Sequence, residues 1–276
     1  MKKLIPQSLK NWLGRRFFFL NQFVDYFYYL ISLNDSQGYP QFIIVGQGRT
    51  GSTLLTSLFD SHPDILCQGE LLGNDWKESY RNILFVEAFI LGRAYRNRAK
   101  VFGFKMKFDH LFRHQNYKDT SSFMQLLSDK GWKVIYLRRN NLFYHSLSQL
   151  VAEKHNRAYH HRSGEGKLSR KPVEIDRESL MYKIKKSEGN QATALEFLKG
   201  IDFHEVIYER DLMDPEHQKA TMNSLYEYVG VRPHEASTNM VKINARPLES
   251  IITNVEEVKE FMAETPYAIY MDKDIY

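Results

Sequence analysis

The chain has 276 residues, of which 43% are hydrophobic and 14% aromatic, so it can bury a sizeable core and global disorder is excluded. Its formal charge of +5 is ordinary solubility charge with a mild preference for anionic ligands; a nucleic-acid partner would call for a denser basic face and is not expected. The single cysteine, Cys67, excludes an intrachain disulfide and suits a reducing compartment.

The first element raises the question of a membrane. Phe17 to Ser32 reads FFFLNQFVDYFYYLIS and follows the basic stretch from Lys10 to Arg16, in the manner of a signal sequence or anchor. Asn21, Gln22 and Asp25 interrupt it, the apolar run falls short of the roughly 20 residues a spanning helix needs, and no small-residue cleavage site follows. The pattern predicts no transmembrane segment and a cytoplasmic protein. Residues 1–40 then hold an aromatic amphipathic helix packed on a single domain, 41–276, with a helix lying on a membrane surface as the alternative.

Asp35 to Pro40 is a turn cluster, and Phe42 to Val45 a short apolar run of the kind that forms a buried parallel strand. Helical spacing runs from Thr53 to Ser61. Further strands are predicted at Val101–Lys105, Val134–Leu137 and Glu205–Tyr208. Helices are predicted at Thr120–Lys130, Leu142–His155, Arg177–Leu198 and Pro215–Val229. Strands alternating with helices argue an α/β fold of three layers, a central parallel sheet flanked by helices. Asn156 to Glu174 is polar, basic and glycine-bearing, a surface loop able to serve as a lid. His155, His160 and His161 have no acidic or cysteine partner at ligand spacing, so no metal site is expected.

Between the first strand and its helix lies VGQGRTGSTLL, Val45 to Leu55. Against the nucleotide-triphosphate template G-x-x-x-x-G-K-[ST] it supplies Gly46, Gly51 and Thr53, but Ser52 holds the lysine position and Arg49 stands inside the loop. Gly48 and Gly51 let the backbone turn its N–H groups inward, and the helix opening near Ser52 adds the positive end of its dipole. Hydroxyls of Ser52 and Thr53 and the charge of Arg49 complete a nest suited to one terminal phosphate. A triphosphate with magnesium would want the lysine and an acidic ligand ending a neighbouring strand. The strand ends here read Lys105-Met106-Lys107 and Arg138-Arg139, which points to a metal-free anion site. A nucleotide-dependent phosphoryl transferase and a non-catalytic anion-binding protein are the alternatives.

These residues also carry a resemblance. Arg49-Thr50-Gly51-Ser52-Thr53-Leu54 resembles the 5′-phosphosulfate loop of sulfotransferases that use 3′-phosphoadenosine 5′-phosphosulfate (PAPS) and release the bisphosphate PAP. Leu58 to Glu70 is similar to the continuation in protein-tyrosine and carbohydrate members, which implies Glu70 as catalytic base. Val134 to Asn141 followed by Ser146-Leu147-Ser148 resembles the 3′-phosphate segment, and Tyr208 to Leu212 the segment near the adenine. Arg246-Pro247-Leu248 onward is similar to the tail of bacterial members. The resemblance spans Phe42 to Tyr267 and implies a P-loop-like fold with an added N-terminal helix. Two departures stand out. Leu54 sits where cytosolic members often have tryptophan, and the arginine-to-serine spacing fits imperfectly. Arg139 with Ser148 is the preferred pair for the 3′-phosphate, with Arg138 and Ser146 as alternatives. Two residues apart on a helix, Ser146 and Ser148 face about 200° from each other, so one of them is expected at the surface.

A sulfuryl group carries less charge than a phosphoryl group, so fixed donors rather than a metal can stabilise its transfer: the loop N–H groups, Arg49 and Lys105. The acceptor hydroxyl or amine must lose a proton to a positioned base. Glu70 is the first choice and His110 the rival, although Lys107 holds the offset at which relatives place that histidine. A small intracellular acceptor is implied, a carbohydrate or another natural product such as a guanidinium alkaloid.

Overall fold

The computed structural model describes residues 7–35, 38–73, 83–155, 171–240 and 247–271, and for helix residues 7–17 the backbone alone. Most of the proposed lid from Asn156, with His160 and His161, and the tail residue Arg246 lie outside the described residues.

Five parallel strands form the sheet: β1 (Gln41–Gly46), β2 (Ile65–Glu70), β3 (Val101–Met106), β4 (Lys133–Arg138) and β5 (Phe203–Ile207), in the order β2-β3-β1-β4-β5. The central strand β1 is buried along its whole length, because both of its faces are covered. Ile43 and Val45 point to one face, where they meet α3 (Val86–Arg96) and α4 (Thr120–Asp129). Phe42 and Ile44 point to the other, under α2 (Ser52–Asp60) and α7 (Pro215–Tyr228). The fold is therefore the expected three-layer α/β arrangement. A third cluster joins α5 (Leu142–Lys154), α6 (Arg177–Phe197) and α8 (Val255–Ala263). The chain leaves β3 on one side of β1 and enters β4 on the other. The carboxyl end of β1 is thus the switch point where ligands of open α/β sheets bind.

Sequence reasoning missed β2, α3 and α8. β2 is an edge strand with only alternate residues buried, and its cysteine, glutamine, glycine and glutamate carry little strand signal. β5 ends at Ile207; Tyr208 opens a π-helical turn instead of closing the strand.

The N-terminal helix α1 (Gln7–Ser32) begins ten residues before Phe17 and packs on α3. A Cβ on Gly92 would stand 1.8 Å from the Asp25 carbonyl oxygen, so the two backbones touch only because that residue is glycine. Asp25 is fully buried and ion-paired with Arg93 at 2.6 Å and Arg96 at 2.9 Å. Among the described residues, no helix is long and apolar enough to cross a membrane.

Candidate active site

The loop after β1 is held open by glycines and closed by its own hydrogen bonds. Gly51 has φ 89°, a conformation that disfavours any side chain, and a Cβ there would lie 2.4 Å from the Tyr208 ring. Arg49 also takes a left-handed backbone, φ 70°, and its Nε donates to Ser148 Oγ at 3.1 Å. Thr50 is buried, and its hydroxyl donates to the Gln47 carbonyl at 2.8 Å, so it braces the loop from within. Helix α2 starts at Ser52 with no side-chain cap on its first turn, whereas Asp119, Asn141, Asp176 and Asp214 cap α4, α5, α6 and α7. Its leading N–H groups therefore face the loop, as an anion site requires.

Lys105 ends β3 beside this loop and donates from Nζ to Thr53 Oγ1 at 2.9 Å. Burial pushes its ammonium below the usual lysine value, with Glu70 opposing the shift. Glu70 ends β2 directly across from Lys105, after a register irregularity between Gln68 and Glu70. Its carboxylate meets Lys107 Nζ at 3.1 Å, His110 Nε2 at 3.3 Å and Lys105 Nζ at 3.6 Å. Burial works against its ionisation. The hydrogen bond from His110 and the charges of Lys107 and Lys105 outweigh that and hold the carboxyl well below the usual carboxylate range. On the far side of the His110 ring, Nδ1 accepts from the Lys107 backbone N–H at 3.4 Å. One tautomer satisfies both contacts, with Nε2–H aimed at Glu70. In that tautomer His110 presents a donor to the Glu70 carboxylate.

A cavity of about 540 Å³ gathers Gly48, Arg49, Ser52, Thr53, Glu70, Lys105 and His110, and extends over Lys107 toward α5 and α6. Among the described residues, no group of three or more histidine, cysteine, aspartate or glutamate side chains is placed to hold a metal ion.

No family model matches the chain. Nodulation protein H of Rhizobium meliloti (strain 1021) is 26% identical over 245 residues, covering 84% of this chain and 96% of that protein. Nodulation protein H of Rhizobium tropici is 26% identical over 254 residues, with 84% and 93% covered. Two solved structures are also similar. Sulfotransferase STF9 from Mycobacterium avium is 12% identical at a TM-score of 0.41, covering 84% of this chain and 77% of its own. Mouse sulfotransferase SULT7A1 complexed with PAP is 11% identical at 0.43, with 82% and 84% covered. The chain is thus similar over most of its length to Nodulation protein H.

The remaining predicted residues stand outside the cavity lining. Arg138 Nε donates to Glu205 at 2.8 Å, and Arg139 Nε to the buried Glu209 at 2.9 Å. The Arg139 guanidinium lies over the Tyr208 ring, 4.7 Å from its centre, so Arg139, Tyr208 and Gly51 form one stack behind the loop. Ser148 joins Arg49 in place of Arg139. Ser146 and Ser148 are both buried, contrary to the expectation that one would be at the surface, because α5 is covered by α6 and α8 as well as by the loop. Leu54 packs, partly buried, on the cluster beneath α2.

One residue of the site was not anticipated. His145 Nε2 donates to the Gly48 carbonyl at 2.8 Å, anchoring the middle of the loop. It shares a helix face with Ser148 and Gln149, at i+3 and i+4, and that periodicity is the signal that could have found it. Burial, then the charges of Arg139 and Arg49, push its pKa down from 6.5 to about 3. The folded protein therefore holds His145 neutral where the unfolded chain takes up a proton. Its contribution to stability is whole above pH 6.5 and is lost as the pH falls toward 3. Stability should drop by about 1.4 kcal/mol per pH unit through this window. Thermal unfolding measured against pH should show that slope flattened in His145→Gln. Parallel curves for the two proteins would exclude a buried neutral histidine.

Proposed function

We propose that this protein is a sulfotransferase, which moves a sulfuryl group from PAPS to a hydroxyl or amine of a small-molecule acceptor, a carbohydrate or another natural product such as a guanidinium alkaloid. The observation that carries the reading is the meeting of the phosphate-type loop with Lys105 and Glu70 in one cavity. The donor fits the residues present. The uncapped start of α2 and the loop N–H groups suit a 5′-phosphate, and the loop from Gly46 to Ser52 contains no carboxylate to repel it.

When bound, PAPS supplies an activated sulfuryl group whose departure leaves negative charge on the oxygen bridging to the 5′-phosphate. Lys105, Arg49 and the N-terminal N–H groups of α2 stabilise that charge, taking the part a metal plays in phosphoryl transfer. Glu70 accepts the acceptor's proton, and His110 Nε2–H fixes the carboxylate's orientation. In the resting protein Glu70 is a weak base, because three cationic or hydrogen-bonding partners hold it ionised. Lys105 and Lys107 would turn from Glu70 toward a bound anionic donor, which would leave the carboxylate more basic when the base is needed.

The test is thermal stabilisation by PAP in the presence of a chelator, set beside ATP with magnesium. PAP at 100 times its dissociation constant should stabilise the protein by about 2.7 kcal/mol. Stabilisation by ATP with magnesium and none by PAP would replace this reading with phosphoryl transfer.

A further inference from the structure

The outer face of α1 is apolar and faces solvent. Phe19, Leu20, Phe23, Phe27 and Leu30 recur at helical spacing and are 49 to 63% exposed. Phe85, 65% exposed, extends the patch from the segment before α3 through an edge contact with Tyr26 at 5.7 Å. Side chains this large and contiguous are seldom left bare on a monomer without a partner.

The charge of the helix says what covers that face. The residues of α1 that are charged at neutral pH are Lys10, Arg15, Arg16 and Asp25. Asp25, its one carboxylate, is turned inward and ion-paired with Arg93 and Arg96. What remains is a cationic N-terminal half followed by an exposed aromatic and aliphatic stripe. A second copy of the chain would bring the same cations and no carboxylate on the helix to meet them. Anionic headgroups over acyl chains complement both features. Aromatic residues favour this boundary, and no helix among the described residues spans the bilayer.

We infer that α1 is an interfacial helix that docks the protein on an anionic lipid surface, with Asp25 and Gly92 fastening its inner face to α3. The helix therefore has two partners, protein on one side and membrane on the other. This inference is independent of the sulfuryl-transfer reading.

The experiment is flotation of the full-length protein with vesicles of phosphatidylcholine alone, and with phosphatidylcholine mixed with an equal part of phosphatidylglycerol. The wild type should float with the mixed vesicles and bind the neutral ones about tenfold less or weaker. The double change Phe23→Ser with Phe27→Ser should reduce binding about tenfold or more, since it removes apolar area that enters the interface. Arg15→Gln with Arg16→Gln tests the same claim through charge, with every apolar residue kept, and should weaken binding by roughly fivefold per cation removed. A wild type that stays in the aqueous phase with both vesicles overturns the inference, as do variants that float as well as the wild type. A dimer on size exclusion that the phenylalanine changes convert to monomer, with no vesicle binding, assigns the face to a second copy.

Discussion

Replacement of Glu70 by glutamine is expected to lower turnover by about 10² to 10⁴-fold while PAP still binds. Glutamine keeps the shape and an oxygen for the His110 Nε2–H, but it cannot accept a proton in the relevant range. It also releases Lys105 and Lys107 from their shared partner, so PAP affinity should hold or rise. Turnover with labelled donor and thermal shift with PAP read the two effects separately. The wild-type pH dependence gives an internal check. Glu70 is held below the ordinary carboxylate range, so its basic form is present above that depressed value and is lost only as the pH falls through it. The acid limb of kcat/KM, which reports free enzyme, should therefore lie below the limb of kcat, where the anionic donor has drawn the lysines away. Turnover nearly unchanged in Glu70→Gln would remove Glu70 from the chemistry.

The second large effect is expected at Gly51. Alanine there meets two penalties: a left-handed backbone, costing about 1–2 kcal/mol, and overlap with the Tyr208 ring, costing roughly 1–3 kcal/mol. The ring cannot simply swing aside, because Arg139 lies across it and is tied to buried Glu209. Gly51→Ala should thus destabilise the protein by roughly 2–5 kcal/mol and abolish PAP-induced stabilisation. Pairing it with Tyr208→Ala separates the two causes, since the double variant regains the space and keeps the backbone strain. A double variant no more stable than Gly51→Ala would show that the ring is not the obstacle.

The loop was legible in the sequence because its chemistry is local. Gly46, Gly48, Gly51 and Ser52 sit within a few residues, and a strand on one side and a helix on the other give them meaning. The same holds for Lys105, which ends an apolar run. What the sequence could not display is pairing across long separations. The ion pairs of Glu70 with Lys105 and Lys107 exist because β2 is laid beside β3, and β2 is an edge strand whose composition gives little sign of a strand. The opposition of Arg138 to Glu205 and Arg139 to Glu209 likewise follows from β4 pairing with β5. Two adjacent arginines at a strand end suggested free cations, and only the fold shows that each already has a carboxylate. Ser148 was chosen from spacing, but its Arg49 contact spans 99 residues and could not be read from helix periodicity.

Glu70 and the glycine loop hang from different strands. Glu70 rides on the rim of the sheet, attached through a single neighbour and displaced by a local slip in register, while the loop springs from the fully enclosed centre. Rims tolerate insertion and re-aiming; centres do not. If Glu70 takes the proton and the loop holds the donor as proposed, reshaping β2 alone would retarget the base toward a new substrate and leave the donor site intact.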